Sequence, residues 1–228
     1  MGAELQEPEL TSSCQSPERG LAIRVASIAS GNPDLLHSSE RASLSAGAVA
    51  SRQREFAAGR LCAAQAMRDL GLEAHPVMIS ADRSPIWPAE VVGSITHSSK
   101  LAAAAVSSKG HGIRAIGFDI EELTPLADEL IEEICLESER LWLQSQPAAT
   151  RGLLAKAIFS IKEAVYKCQF PLTLEMFGFE RVRVEPDLRR NSFTAHFTEK
   201  VGAFCPEAPL FGKIWIAEQH IFSLLVLR

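Results

Sequence analysis

Cysteine is sparse and unpatterned in this 228-residue chain: five residues, at 14, 62, 135, 168 and 205, with no Cys-x-x-Cys among them. An odd, scattered set builds neither a disulfide framework nor a zinc ribbon, and it suits a reducing cytoplasm. Long apolar runs are missing too; none approaches the ~20 residues that a helix needs to span a bilayer. Basic residues are not in excess. The 23 Lys and Arg face 28 Asp and Glu, a net charge of −5, so general nucleic-acid binding through phosphates has no support. Histidines 37, 75, 111, 196 and 220 have no spacing that suggests a metal site. Residues 1–20 are polar and carry Glu4, Glu7, Glu9, Pro8 and Pro17, which makes a poor signal peptide and predicts a flexible tail. What remains is ordinarily globular, 46% apolar and 22% charged, enough to bury a core in one large domain or two smaller lobes.

Along the chain, residues 21–28 predict a first strand. Residues 49–70 predict a helix: Phe56, Ala63, Met67 and Leu70 recur at helical spacing, and Gly71 stands where a C-terminal cap belongs. Arg52, Arg54 and Arg60 decorate it. Pro76, Pro85 and Pro88 break residues 75–91 into a loop with one short strand. Residues 92–96 and 101–107 predict two strands joined by the hairpin-length His97-Ser98-Ser99-Lys100. Residues 126–143 predict one amphipathic helix with Leu130, Ile131, Ile134, Leu141 and Trp142 on one side, and residues 151–168 predict another. Nine acidic residues and no basic one occur from Asp119 to Glu139, which reads as a solvated helix face rather than a cation array. Four strands are expected at 181–185, 192–197, 213–219 and 221–227. Helices and strands mix without regular βαβ alternation, so the fold class is α+β. A faint internal echo relates Ile95-Thr96-His97 and residues 101–106 to Glu218-Gln219-His220 and residues 221–227, as a duplicated lobe would.

The most informative feature is acidic. In Gly117-Phe118-Asp119-Ile120-Glu121, positions i and i+2 of an extended strand share a face, so Asp119 and Glu121 project together. Ala115, Ile116, Phe118 and Ile120 suit a strand whose far face is buried. Two like charges that close repel unless a cation neutralises them. Oxygen-only ligands favour Mg²⁺, which bridges to substrate phosphates, and so predict a magnesium–phosphate site. A third carboxylate, Glu163, lies in Phe159-Ser160-Ile161-Lys162-Glu163-Ala164-Val165-Tyr166-Lys167. At ~100° per residue, Lys156, Ser160, Glu163 and Lys167 fall on one stripe. Leu154, Ala157, Ile158, Ile161, Val165 and Cys168 fall opposite, with Lys162 near the apolar boundary. Glu163 and Lys167 are equally an ordinary i, i+4 ion pair worth ~0.2–0.5 kcal/mol.

Three segments, in order, resemble the signature motifs of 4′-phosphopantetheinyl transferases: Val92-Gly93-Ser94-Ile95-Thr96-His97-Ser98, the Asp119–Glu121 strand and the Lys162–Lys167 helix. Arg83-Ser84-Pro85-Ile86-Trp87-Pro88 and Phe56-Ala57-Ala58-Gly59-Arg60 further resemble the enterobactin-synthetase-component-D branch, a relative of the surfactin-type group. The resemblance implies two similar α/β lobes about a pseudo-two-fold axis, residues 21–110 and 111–228, with coenzyme A between them. It implies transfer of the phosphopantetheine arm of coenzyme A to a serine of an apo acyl or peptidyl carrier protein. The by-product is adenosine 3′,5′-bisphosphate, and the enzyme is expected to be a cytoplasmic monomer.

Carried over residue by residue, the resemblance makes Asp119, Glu121 and Glu163 ligands of Mg²⁺, with Mn²⁺ the other candidate. Glu163 becomes the base, directly or through water, and Lys167 stabilises the bridging oxygen. Arg60, Arg83 and His97 become cations for the coenzyme A phosphates, Thr96 adds a hydroxyl, and Lys162 and Lys167 also contact the cofactor. A turn-capping role for His97 and a solvent-facing one for Arg60 are the plain alternatives. Thr96 stands where many members have Ser, Phe118 where a smaller aliphatic residue is common, and Asp82 where glycine is frequent. Residues 124–136 and 170–177 are candidate carrier-docking segments, although Phe170, Leu172, Leu174, Met176 and Phe177 also read as core. Two rivals use the same carboxylates: a Mg²⁺-dependent phosphoesterase or nuclease, and a non-catalytic nucleotide-binding domain whose carboxylates are only salt-bridged.

Overall fold

The computed structural model describes residues 18–44 and 47–228; Cys14 and the expected tail up to residue 17 lie outside them. Two compact units divide between Gly112 and Ile113. The first holds β1 (Leu21–Ser27), α1 (Ser38–Ala42), α2 (Ala50–Asp69), β2 (Met78–Ile79), β3 (Pro85–Ile86), β4 (Val91–His97) and β5 (Leu101–Ser108). Its main sheet is antiparallel in the order β1-β5-β4, and α2 lies across it. Alanine explains how closely. Ala102, Ala103, Ala104 and Ala105 of the central strand are fully buried, and α2 presents Ala57, Ala58, Ala63 and Ala66 to the core. Small side chains on both surfaces let helix and sheet pack at interior density. The helix ends at Gly71, whose φ of 71° is the left-handed value that closes helices. Where one short strand was expected in residues 75–91, two two-residue strands pair, Met78 with Ile86 and Ile79 with Pro85.

The second unit holds β6 (Ala115–Glu122), α3 (Asp128–Ile134), α4 (Glu137–Gln144), α5 (Ala148–Thr173), β7 (Val182–Asp187), β8 (Ser192–Phe197), β9 (Leu210–Ala217) and β10 (His220–Leu227). Its five-stranded sheet runs β6-β10-β9-β8-β7, antiparallel throughout, with α5 packed on β6, β10 and β7. Each unit thus sets a long helix on an antiparallel sheet, an α+β arrangement. The predicted apolar side of α5 is the buried one: Ala157, Ile158, Ile161, Val165 and Cys168 all belong to the core. Among the described residues the cysteines are free thiols, and no helix is long and apolar enough to cross a membrane.

Strand alternation sorts β6 into two sets. Phe118 stacks with Phe222 and Trp215, each at 6.2 Å between ring centroids, which accounts for an aromatic at this position. Gly117, one residue earlier, faces α5. A Cβ built there would lie 1.7 Å from the Ala164 carbonyl oxygen and 2.7 Å from the Cys168 Cβ. Backbone meets backbone at this point, so Gly117→Ala must push α5 away from the strand. The expected cost is about 1–3 kcal/mol, measured as a lower urea midpoint; an unchanged midpoint would contradict the contact.

Residues 126–143 do not form the single helix that their periodicity predicts. They break at Cys135-Leu136 into α3 and α4, where a buried pair joins Glu139 of the segment to Lys162 of α5. Glu139 accepts the Leu136 N–H at 2.7 Å and the Val184 N–H at 2.7 Å. Lys162 pairs with Glu139 at 2.8 Å and donates to the carbonyls of Ile134 at 2.8 Å and Phe179 at 3.0 Å. The end of one helix and the start of the next leave backbone groups that need partners once buried, and the two side chains supply them. The internal echo does not mark equivalent positions either: His97 closes β4 before its turn, whereas His220 opens β10 after its turn.

Candidate active site

Within the first unit, a cavity of about 700 Å³ is lined by Arg60, Arg83, Thr96 and His97 together with Arg52, Glu55 and Phe56. Arg60 is buried. Its Nε donates to the Val77 carbonyl at 2.8 Å, and its guanidinium lies 4.5 Å from the centroid of the Phe56 ring. Burial lowers its pKa to about 10, so it remains charged at neutral pH. Arg83 adopts a φ of 71° in a tight turn in which Ser80 N–H bonds the Ser84 carbonyl at 3.0 Å. Asp82, where glycine was the common alternative, caps that turn by accepting the Ser84 N–H at 2.9 Å. Hydrogen bonds from Ser80 and Ser84 draw its carboxyl down to about 2. Thr96 is buried near the end of β4, and the following His97 is exposed.

His97 touches its own turn, Nδ1 lying 3.4 Å from the Ser98 carbonyl oxygen, and also reaches α2. Its Nε2 lies 2.8 Å from Glu55 Oε1, a carboxylate that also pairs with Arg52. Glu55 was not among the residues singled out in the sequence. It sits on α2 one residue before Phe56, and nothing in its local spacing points to a histidine more than forty residues away.

In the second unit, β6 and α5 assemble a separate charged cluster. Lys167 Nζ lies 2.5 Å from Asp119 Oδ1 and 4.0 Å from Glu163 Oε2, and Lys156 Nζ lies 3.2 Å from Glu121 Oε2. The shared strand face and the helix stripe therefore meet as their spacing predicts. Ser160, on the same stripe, turns inward to bond Ser223 Oγ at 2.9 Å. Burial and the neighbouring Asp119 charge hold the Glu121 carboxyl above the ordinary glutamate range, opposed by Lys156. Burial also raises Glu163, opposed by Lys167 and reinforced by Asp119.

A carboxyl with a raised folded-state pKa contributes stability that is complete below its ordinary value and lost as pH rises through the raised one. Glu121→Gln and Glu163→Gln should therefore gain thermal stability over the parent chain above pH 4.5, with the gain vanishing as pH falls towards that value. Melting curves between pH 4 and 8 measure it, and a gain that grows on acidification would have the wrong sign.

Lys162, expected to contact coenzyme A, instead turns into the fold: an ammonium has three N–H groups, and Ile134, Phe179 and Glu139 take them here. The candidate docking segment 170–177 divides. Phe170 is buried and Phe177 packs edge-on against Tyr166 and Phe197, whereas Leu172, Leu174 and Met176 are exposed.

Residues 39–107 match the 4′-phosphopantetheinyl transferase N-terminal domain, and residues 115–212 match the 4′-phosphopantetheinyl transferase superfamily domain. The chain is 32% identical over 180 residues to the 4′-phosphopantetheinyl transferase PptT of Mycobacterium tuberculosis, a stretch covering 78% of each protein. The chain belongs to the 4′-phosphopantetheinyl transferase superfamily. It is also 37% identical over 151 residues to the 4′-phosphopantetheinyl transferase Npt of Nocardia iowensis, which spans 65% of this chain and 66% of that protein. Enterobactin synthase component D of Escherichia coli K12 is 39% identical over 118 residues, 51% of this chain and 54% of that protein.

A divalent cation suits the donor chemistry of this phosphopantetheinyl transferase. Three carboxylates offer hard oxygens, and burial together with the Asp119 charge holds two of them, Glu121 and Glu163, above their ordinary range. The arrangement is not a ready-made cage. Among the described residues no three acidic, histidine or cysteine side chains stand together as a metal group. Neighbouring like charges repel, and the ammonium groups of Lys156 and Lys167 offset them here.

Proposed function

We propose that this phosphopantetheinyl transferase moves the arm of coenzyme A to a serine of an apo acyl or peptidyl carrier protein and releases adenosine 3′,5′-bisphosphate. The observation that supports the residue assignment is the set of ion pairs between β6 and α5, Lys167 lying against Asp119 and 4.0 Å from Glu163 and Lys156 against Glu121. Coenzyme A and a divalent metal are the family's requirements; we take the metal to be Mg²⁺, with Mn²⁺ as a substitute, held by these three carboxylates. When bound, it supplies positive charge against the diphosphate.

Glu163 takes the proton as the serine oxygen bonds to the β-phosphorus. Its raised pKa brings a carboxylate closer to the range useful for proton transfer. The bond from that phosphorus to the bridging oxygen breaks, and Lys167 meets the departing phosphate with its charge and its protons. Positioning and charge compensation of this kind are most of what phosphoryl transfer asks of a protein.

In the first unit, Arg60, Arg83 and His97 would receive phosphate groups of the nucleotide, with Thr96 contributing a hydroxyl. The cavity they line, and the charge Arg60 keeps at neutral pH, support this. Glu55 sets the orientation of His97. We take the enzyme to be a cytoplasmic monomer; the free thiols of Cys62, Cys135, Cys168 and Cys205 are compatible with a reducing compartment.

Incubation with coenzyme A, Mg²⁺ and an apo-carrier should add about 340 Da to the carrier, the mass of the covalently attached arm. Cleaved coenzyme A with no gain in carrier mass would instead indicate a phosphoesterase. Coenzyme A bound but never cleaved would indicate a binding domain.

A further inference from the structure

We infer that Lys156 is a built-in counter-charge that competes with the divalent cation for Glu121, so that tight cation binding waits for the coenzyme A diphosphate. The inference rests on the metal assignment proposed above and adds a residue outside the three signature motifs. Lys156 enters α5 two turns before Glu163. Its Nζ sits 3.2 Å from Glu121 Oε2, and the two side chains keep only 15% and 21% of their exposure. On another side the ammonium lies 5.7 Å from the centroid of the Phe159 ring, which favours a cation there and limits its hydration. An exposed lysine pair is worth little; this one is withdrawn from solvent and engages a carboxylate with a second claimant.

The charge balance explains the consequence. Three carboxylates and two ammonium groups leave one net negative charge for a dication to meet. Adding a diphosphate deepens that charge, and the attraction between dication and site grows with it. Removing Lys156 achieves part of the same change with no substrate present. A lysine is a compact, strongly hydrated point charge on a flexible stem, so it can release Glu121 when a stronger cation arrives.

The test is Mn²⁺ binding, read from the loss of the free-ion electron paramagnetic resonance signal, with and without coenzyme A. The proteins are the parent chain, Lys156→Met, Lys156→Arg and Asp119→Asn. Lys156→Met should tighten coenzyme-free Mn²⁺ binding about tenfold and shrink the further tightening that coenzyme A brings. Lys156→Arg, which keeps the charge, should stay within about threefold of the parent. If the Met variant does not fold, judged by circular dichroism, Lys156→Gln carries the same expectation. Affinity unchanged or weakened on removing the charge overturns the inference. If Asp119→Asn loses Mn²⁺ while Lys156→Met behaves as the parent, only the role of Lys156 falls. If the parent binds no Mn²⁺ with or without coenzyme A, the metal assignment fails, and this inference with it.

Discussion

Asp119→Asn lowers carrier modification by about a thousandfold, the scale of removing a principal electrostatic contact at a reacting phosphate, while the protein still folds. The substitution keeps the shape of the side chain and removes its charge. Asp119 is 2% exposed on β6 and faces Lys167, at 2.5 Å, on α5. Without that carboxylate the cluster loses a hard oxygen proposed to hold the metal and half of the like-charge pair on the strand. Lys167 loses the partner that holds it beside Glu163. Extra Mg²⁺ should not restore the rate, because the deficit includes the placement of Lys167 as well as cation affinity. Initial rates from carrier mass spectra, alongside a melting curve, separate the outcomes. A variant that turns over normally but melts early would make Asp119 a structural residue and remove the basis of the metal reading. Glu163→Ala should behave similarly in rate, through loss of the proposed proton acceptor.

The second large effect concerns stability. Lys162→Met is expected to cost about 3–5 kcal/mol, the usual penalty for stripping one partner from a buried ion pair. Both Lys162 and Glu139 are only 2% exposed, and burial pulls the lysine pKa down, which records the strain of keeping it charged there. Buried pairs can often be replaced together by apolar residues at little cost, but this pair should resist. Its two side chains also serve four backbone groups, the carbonyls of Ile134 and Phe179 and the amides of Leu136 and Val184. Lys162→Met combined with Glu139→Leu strands all four, each at about 1–3 kcal/mol when buried without a partner. Urea unfolding of the single and double variants is the measurement. A double variant as stable as the parent would mean that the pair does not hold the α3–α4 junction and β7 together.

Lys162 also marks where local reading of the chain fails. Helical spacing puts it near the apolar boundary of α5, and the motif order suggests a ligand contact. Its burial and its carbonyl partners depend on where α3 and the turn at Phe179 fold back, which no spacing on α5 encodes. The broken helix at 135–136 has the same origin: Leu130, Ile131, Ile134, Leu141 and Trp142 keep one periodicity across it, and only a distant lysine reveals the interruption. Glu55 escaped notice for a related reason, since its link to His97 spans separate elements. By contrast, the pairing of Asp119 with Glu121 needed only the two-residue repeat of a strand, and the stripe Lys156, Glu163 and Lys167 only the turn of a helix. Those repeats are local geometry and survive into the fold.

The amino-acid order alone therefore determined the α+β class, the presence of most elements, the acidic strand, the cationic helix stripe and the family. All of these follow from backbone periodicity and from motifs contiguous in the chain. Only the tertiary structure decided which ammonium sits on which carboxylate, which charged side chains serve the core, and where one predicted helix becomes two. Ion pairing and burial are set by distances between segments far apart in sequence, and those distances exist only after the sheets and helices have packed.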